Sequence, residues 1–94
     1  MTEPIRAGRA VVVTGAGQGL GRAHALAFAA AGANVVVNDV GAAAATVAAE
    51  IQAAGGTAVA SAGDVADWGY AEHLVRTAVE AFGRLDTLVN NAGL

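Results

Sequence analysis

The sequence predicts an α/β fold: a doubly wound parallel sheet built as β-α-β-α-β-α-β, in strand order 3-2-1-4, with helices on both faces. Three observations lead there. Four apolar, β-branched runs alternate with three alanine-rich runs of helical period along the 94 residues. The connections between them are short, and neighbouring parallel strands need a helical crossover to return the chain to the same end of the sheet. Four glycines, Gly15, Gly17, Gly19 and Gly21, crowd the junction between the first strand and the first helix. Right-handed crossovers then leave 3-2-1-4 as the expected sheet.

The first strand is "AVVVT" (10–14), a continuous apolar run of the kind buried on both faces. "LGRAHALAFAAAG" (20–32) reads as a helix closed by Gly32. "NVVVND" (34–39) is a second buried strand. "AAAATVAAEIQAAGG" (42–56) is a helix with Ala44, Val47, Ala48 and Ile51 on one face, stopped by Gly55 and Gly56. "TAVASAG" (57–63) is a weaker third strand. The clearest period lies in "DWGYAEHLVRTAVEAFG" (67–83), where Ala71, Leu74, Val75, Ala78, Val79 and Phe82 form one stripe. Asp67 is its N-cap and Gly83 its stop. "LDTLVNN" (85–91) is the fourth strand.

Composition narrows the function classes. Hydrophobic residues are 55% and charged residues 14%, so the chain can bury a core. The net charge is -3 and no basic stretch exists, which argues against nucleic acid and against an anionic membrane surface as partners. Cysteine is absent, excluding disulfides, thiolate metal sites and thiol nucleophiles. No secretory h-region and no long apolar span is read, so the expected compartment is the cytoplasm. All five basic residues are arginines, and there is no lysine.

A strand running tightly into a helix presents free N–H groups and the positive end of the helix dipole, where phosphate commonly binds. A Walker A loop is excluded because it needs lysine. The strict G-x-G-x-x-G pattern is also absent. What stands here is T-G-x-x-x-G-x-G, made by Thr14, Gly15, Gly19 and Gly21. Gly15 suits a tight turn, Gly19 the approach of a pyrophosphate to backbone, and Gly21 the close packing of the helix. A glycine-rich turn without a ligand is the plain alternative. Asp39 ends the second strand 18 residues after Gly21, near the distance at which an acidic residue meets an adenosine ribose. Its carboxylate would repel a 2′-phosphate by about 4 kcal/mol per unit charge at 4 Å, taking an effective dielectric of 20. NAD is therefore expected over NADP, with Arg22 as the one nearby cation.

These residues together resemble the short-chain dehydrogenase/reductase family. Four landmarks stand in order: "TGAGQGLG" (14–21), "VVVND" (35–39), "GDV" (63–65) and "NNAG" (90–93). The resemblance covers the chain from Arg9 onward and implies a partial Rossmann-type fold that binds NAD. It also implies roles. Gly15, Gln18, Gly19 and Leu20 would offer backbone to the cofactor, and Gly21 would let the helix approach. Asp39 would bind the adenosine ribose. Asp64 would accept from the adenine amino group, with Val65 meeting the ring through its backbone. Asn90 and Asn91 would brace the sheet, with backbone near the nicotinamide-side ribose. The run "VVVNDVG" is similar to the branch that oxidises secondary alcohols, including hydroxyacyl-thioester and hydroxysteroid substrates.

The family's proton transfer uses a serine, a tyrosine with a lysine four residues later, and a further asparagine, all beyond the NNAG motif. Here the sole tyrosine, Tyr70, is followed at the fourth place by Leu74, and the sole serine, Ser61, falls in the third strand. His24 and His73 read as structural or surface residues. Residues 1–94 are thus expected to be a dinucleotide-binding half-domain, truncated after the fourth strand and inactive alone. The alcohol or ketone substrate would belong to the complete protein. Self-association through an exposed fourth strand is a further expectation. A non-catalytic NAD-binding or adenine-nucleotide-binding module, and an inactive remnant, are the alternatives.

Overall fold

A computed structural model of the protein describes residues 8–91. Its elements are β1 (Ala10–Thr14), α1 (Gly19–Ala30), β2 (Asn34–Asp39), α2 (Ala43–Ala53), β3 (Thr57–Ala62), α3 (Trp68–Phe82) and β4 (Thr87–Asn90). The four strands form one parallel sheet in the order β3-β2-β1-β4, the order expected from the alternation and right-handed crossovers. Ala10 lies opposite Asn34, Val11 opposite Thr87, and Asn34 opposite Thr57.

The two central strands are continuous valine runs because both of their faces are covered. Val11, Val12, Val13, Val35, Val36 and Val37 are all 0% exposed. Burying each is worth about 1.5 kcal/mol or more. The pleat sorts them by parity. Val11, Val13, Val35 and Val37 pack with Ala25 of α1 and with Ala44, Val47, Ala48 and Ile51 of α2. Val12 and Val36 pack with Leu74 and Ala78 of α3. So α1 and α2 cover one face and α3 the other. The Arg22 guanidinium, ion-paired with Glu50, ties α1 to α2 on the outside.

Helix ends follow local chemistry. Gly32 takes φ +95, and its N–H donates to the Ala29 carbonyl at 3.0 Å while the Ala33 N–H donates to Phe28 at 3.0 Å. This paired closure satisfies two orphan carbonyls and needs a left-handed residue. Gly55 and Gly56 close α2 in the same way on Gln52 and Ile51. The Asp67 carboxylate caps α3 by accepting from the Tyr70 N–H at 3.1 Å.

Some boundaries differ from the sequence reading. α1 opens one residue earlier, at Gly19, and β3 ends at Ala62 rather than Gly63. β4 spans only Thr87–Asn90 instead of 85–91. Asp86 is turned to Ala10: its N–H donates to the Ala10 carbonyl at 2.9 Å, and its carboxylate accepts the Ala10 N–H at 2.9 Å. The α3 stripe is also narrower than its period. Leu74 and Ala78 are buried, but Val75 is 44% and Val79 46% exposed. Val75 lines an apolar groove shared with Leu88 of β4, the outermost strand on that side. Trp68, at the start of α3, is 82% exposed. Among the described residues, no helix is long and apolar enough to cross a membrane. Ala92 and Gly93 of the NNAG run, and residues 1–7, lie outside the described residues.

Candidate functional site

All four strands point the same way, so their C-terminal ends share one edge. The sheet order sets Asp64 and Val65 after β3 at one side, then Asp39 on β2, the glycine turn after β1, and Asn90 and Asn91 at the end of β4. The chain winds outward from β1 to β3 and then crosses back to β4. Open α/β sheets bind ligands at such a reversal, outside the carboxyl ends of the strands.

The glycine turn is tight. Gly15 and Gly19 both take φ +60. A side chain at Gly19 would meet no heavy atom within 4 Å, so that backbone borders open space. Gly21 is the reverse case: a Cβ there would overlap the Gly15 carbonyl, so only glycine lets α1 start against its own turn. Gln18, Gly19 and Leu20 are exposed. Gln18 makes no side-chain cap and the first turn of α1 holds no acidic residue. The dipole end is therefore not neutralised by its own helix.

Asp39 faces this turn. One carboxylate oxygen, Oδ2, accepts the Gly17 N–H at 2.7 Å, and Oδ1 accepts the Val40 N–H at 2.7 Å. Each oxygen keeps a further lone pair for a hydroxyl. Gly17 was not singled out by the spacing, yet a Cβ there would overlap both the Asp39 carboxylate and Ala43. Arg22 points elsewhere, committed to Glu50. Their hydrogen bond, more than their charge alone, raises the arginine's pKa and lowers the carboxyl's.

Asp64 is exposed, with Oδ1 accepting the Ala66 N–H at 2.9 Å, and Val65 is half-buried beside it. At the other side, the buried Thr14 hydroxyl lies 3.1 Å from Asn90 Oδ1 and 3.3 Å from the Val89 carbonyl, and accepts the Asn91 N–H at 3.0 Å. Asn91 Nδ2 is 3.4 Å from His24 Nδ1. Thr14 thus ties the ends of β1 and β4 together.

A second polar cluster underlies the β2–β3 end. Asn38, 1% exposed, directs Nδ2 at the carbonyls of Ser61 (3.1 Å) and Gly63 (3.2 Å) and at Tyr70 Oη (3.1 Å). Tyr70 Oη and Ser61 Oγ are 2.6 Å apart. Sequence reasoning assigned none of these a role at the site. The one available signal was an asparagine inside an otherwise apolar strand. No group of three metal-ligating side chains occurs among the described residues.

Comparison with known proteins gives this edge a context. A family model described as short chain dehydrogenase matches residues 9–94. The peroxisomal multifunctional enzyme type 2 of Mus musculus is 51% identical across the whole chain, which spans 14% of that protein. A short chain dehydrogenase from Mycobacterium avium superposes with TM-score 0.90 at 60% identity, covering 94% of this chain and 34% of the other. A 7α-hydroxysteroid dehydrogenase complexed with NADH and 7-oxo glycochenodeoxycholic acid superposes with TM-score 0.91 at 43% identity, over 95% of this chain and 35% of the other. The chain therefore spans between about a seventh and a third of the length of these three proteins.

Proposed function

Because the chain belongs to the short chain dehydrogenase family, we propose that it forms the NAD-binding part of an oxidoreductase that interconverts a secondary alcohol and a ketone. The observation that carries the reading is the Asp39 carboxylate, fixed by the Gly17 N–H beside the open start of α1. The residues present fit a dinucleotide. Backbone at Gly19 borders open space for a pyrophosphate, and the uncapped first turn of α1 favours its charge. Asp39 can accept both ribose hydroxyls. Asp64 and Val65 take the adenine, and the backbone of Asn90 and Asn91 meets the nicotinamide-side ribose. Bound NAD would supply the hydride acceptor for an alcohol, or the donor for a ketone when reduced. The residues of this sequence bind and orient; none is assigned the proton transfer, for which general acid–base catalysis is worth about 10²–10⁴ in rate.

NAD is preferred over NADP on two grounds. Asp39 would set a negative charge where a 2′-phosphate would lie, and Glu50 holds the Arg22 guanidinium. Titration of the intact protein with both cofactors should show NAD binding the more tightly. Asp39→Ala should narrow the gap, because it removes the hydroxyl contacts and the repulsion together. Tighter binding of NADP by the unaltered protein overturns the assignment.

The substrate class is a secondary alcohol, with hydroxyacyl-thioesters and hydroxysteroids the nearest chemistry. A 7α-hydroxysteroid dehydrogenase among the similar structures supports that choice. The absence of cysteine suits a reducing cell interior, and the cytoplasm is the compartment we assign. Neither nucleic acid nor membrane is among the proposed partners. Pairing of β4 edges between copies is the proposed mode of self-association for these residues in isolation.

A further inference from the structure

The Asn38–Ser61–Tyr70 cluster is more polar than packing requires. Phenylalanine and leucine would fill the same space without desolvating an amide and two hydroxyls, which is costly unless every group is paired. Here every group is paired: among the described residues, no buried side-chain nitrogen or oxygen lacks a partner. A fully satisfied buried network selects one arrangement of the backbone around it. The arrangement selected is that of the segment leading into Asp64. Asn38 holds the Ser61 and Gly63 carbonyls. The Gly63 N–H donates to the Asp39 carbonyl at 2.9 Å. The Tyr70 ring lies against Gly63 so closely that a Cβ there would overlap three of its carbons. Beyond Asp64, the Asp67 N–H donates to the Asp64 carbonyl at 3.0 Å, so the loop is closed on its other side by the cap of α3.

Resting on the NAD-binding reading above, we propose that Tyr70 is a positioning residue for adenine recognition. It acts through Asn38 and Ser61 to fix Gly63, and so sets Asp64 and Val65 at a fixed distance from the ribose carboxylate of Asp39. Tyr70 touches no cofactor itself. Its hydroxyl locks the β2 end, which carries the ribose contact, to the β3 end, which carries the adenine contact. The nicotinamide side, built on Thr14, Asn90 and Asn91, shares none of these bonds.

The test compares NAD, ADP and nicotinamide mononucleotide as probes, titrated calorimetrically into the intact protein. Tyr70→Phe keeps the ring on Gly63 and removes only the hydroxyl. It should weaken NAD and ADP about tenfold, the scale of one hydrogen bond lost with the Ser61 hydroxyl left without its tyrosine partner. Binding of nicotinamide mononucleotide should not change. Ser61→Ala, which leaves the ring untouched, should shift the same ratio in the same direction by less. A lowered melting temperature with an unchanged ratio of NAD to mononucleotide affinity makes the cluster structural and overturns the proposal, while leaving NAD binding standing. An unaltered protein that binds neither NAD nor ADP overturns both.

Discussion

Gly17 shows how much a single hydrogen atom in place of a side chain can decide. It is the one glycine of the turn that touches the acidic residue, through an N–H bond of 2.7 Å to Asp39. A methyl group at that position would sit on the carboxylate and on Ala43. The carboxylate would have to swing away and lose its fixed orientation. Gly17→Ala is therefore expected to weaken NAD binding by at least tenfold while changing the circular-dichroism spectrum little, read by calorimetry and dichroism on the same sample. An affinity within twofold of the unaltered protein would mean that Asp39 does not act from this position. The sequence spacing passed over Gly17 because the T-G-x-x-x-G-x-G pattern treats that place as free. Its meaning comes from Asp39, far along the chain, and only the crossover brings the two together. Asn38 and Tyr70 were hidden for the same reason. The place of Asp39 at the end of β2 was legible, since a charged residue there closes the valine run.

Among the elements, the helices were legible to within a few residues because their stops are chemical. Gly32 and Gly55 sit where a left-handed residue closes each carbonyl pair. β4 was the least legible, and Asp86 is the cause. Period and hydropathy extend the strand back to Leu85, but nothing in them foretells a side chain that reaches the Ala10 amide. That contact has a pH signature. Hydrogen bonding from Arg84 first, and from the Ala10 N–H second, lowers the pKa of the Asp86 carboxyl. An unfolded aspartate titrates near 3.9. Because the folded value lies below that, Asp86 stabilises the fold fully above about pH 4, and the contribution is lost as pH falls through the folded value. Glu50, lowered by Arg22, acts in the same direction. Urea midpoints should thus drop on acidification below about pH 4. Asp86→Asn should lower the midpoint at neutral pH and flatten that acid slope. An acid slope as steep in Asp86→Asn as in the parent would exclude the carboxylate as its source.

For the molecule as a whole, the parallel sheet with helices on both faces followed from alternation, and the observed order β3-β2-β1-β4 is the one expected of a Rossmann-type half-domain. The flank of α3 did not, because a periodic stripe shows which residues could be buried and not how far the sheet extends beneath them. Val75, which lines the β4 groove, and Val79 stay half-exposed for that reason. The same outer placement gives Trp68 an optical consequence. It is the sole tryptophan of the sequence, and it stands 82% exposed on α3, outside both apolar clusters. Its indole is already in water before any denaturant is added. Residues 1–94 in their folded state should emit close to the wavelength of free tryptophan and be quenched by iodide nearly as fast as when unfolded. Guanidinium should abolish the helical dichroism at 222 nm, the usual amide band, while the tryptophan emission maximum barely moves, by ~5 nm or less. Coincidence of different probes is the ordinary test of two-state unfolding. Residues 1–94 would fail that test for a spectroscopic reason, with their one tryptophan watching the solvent rather than the core.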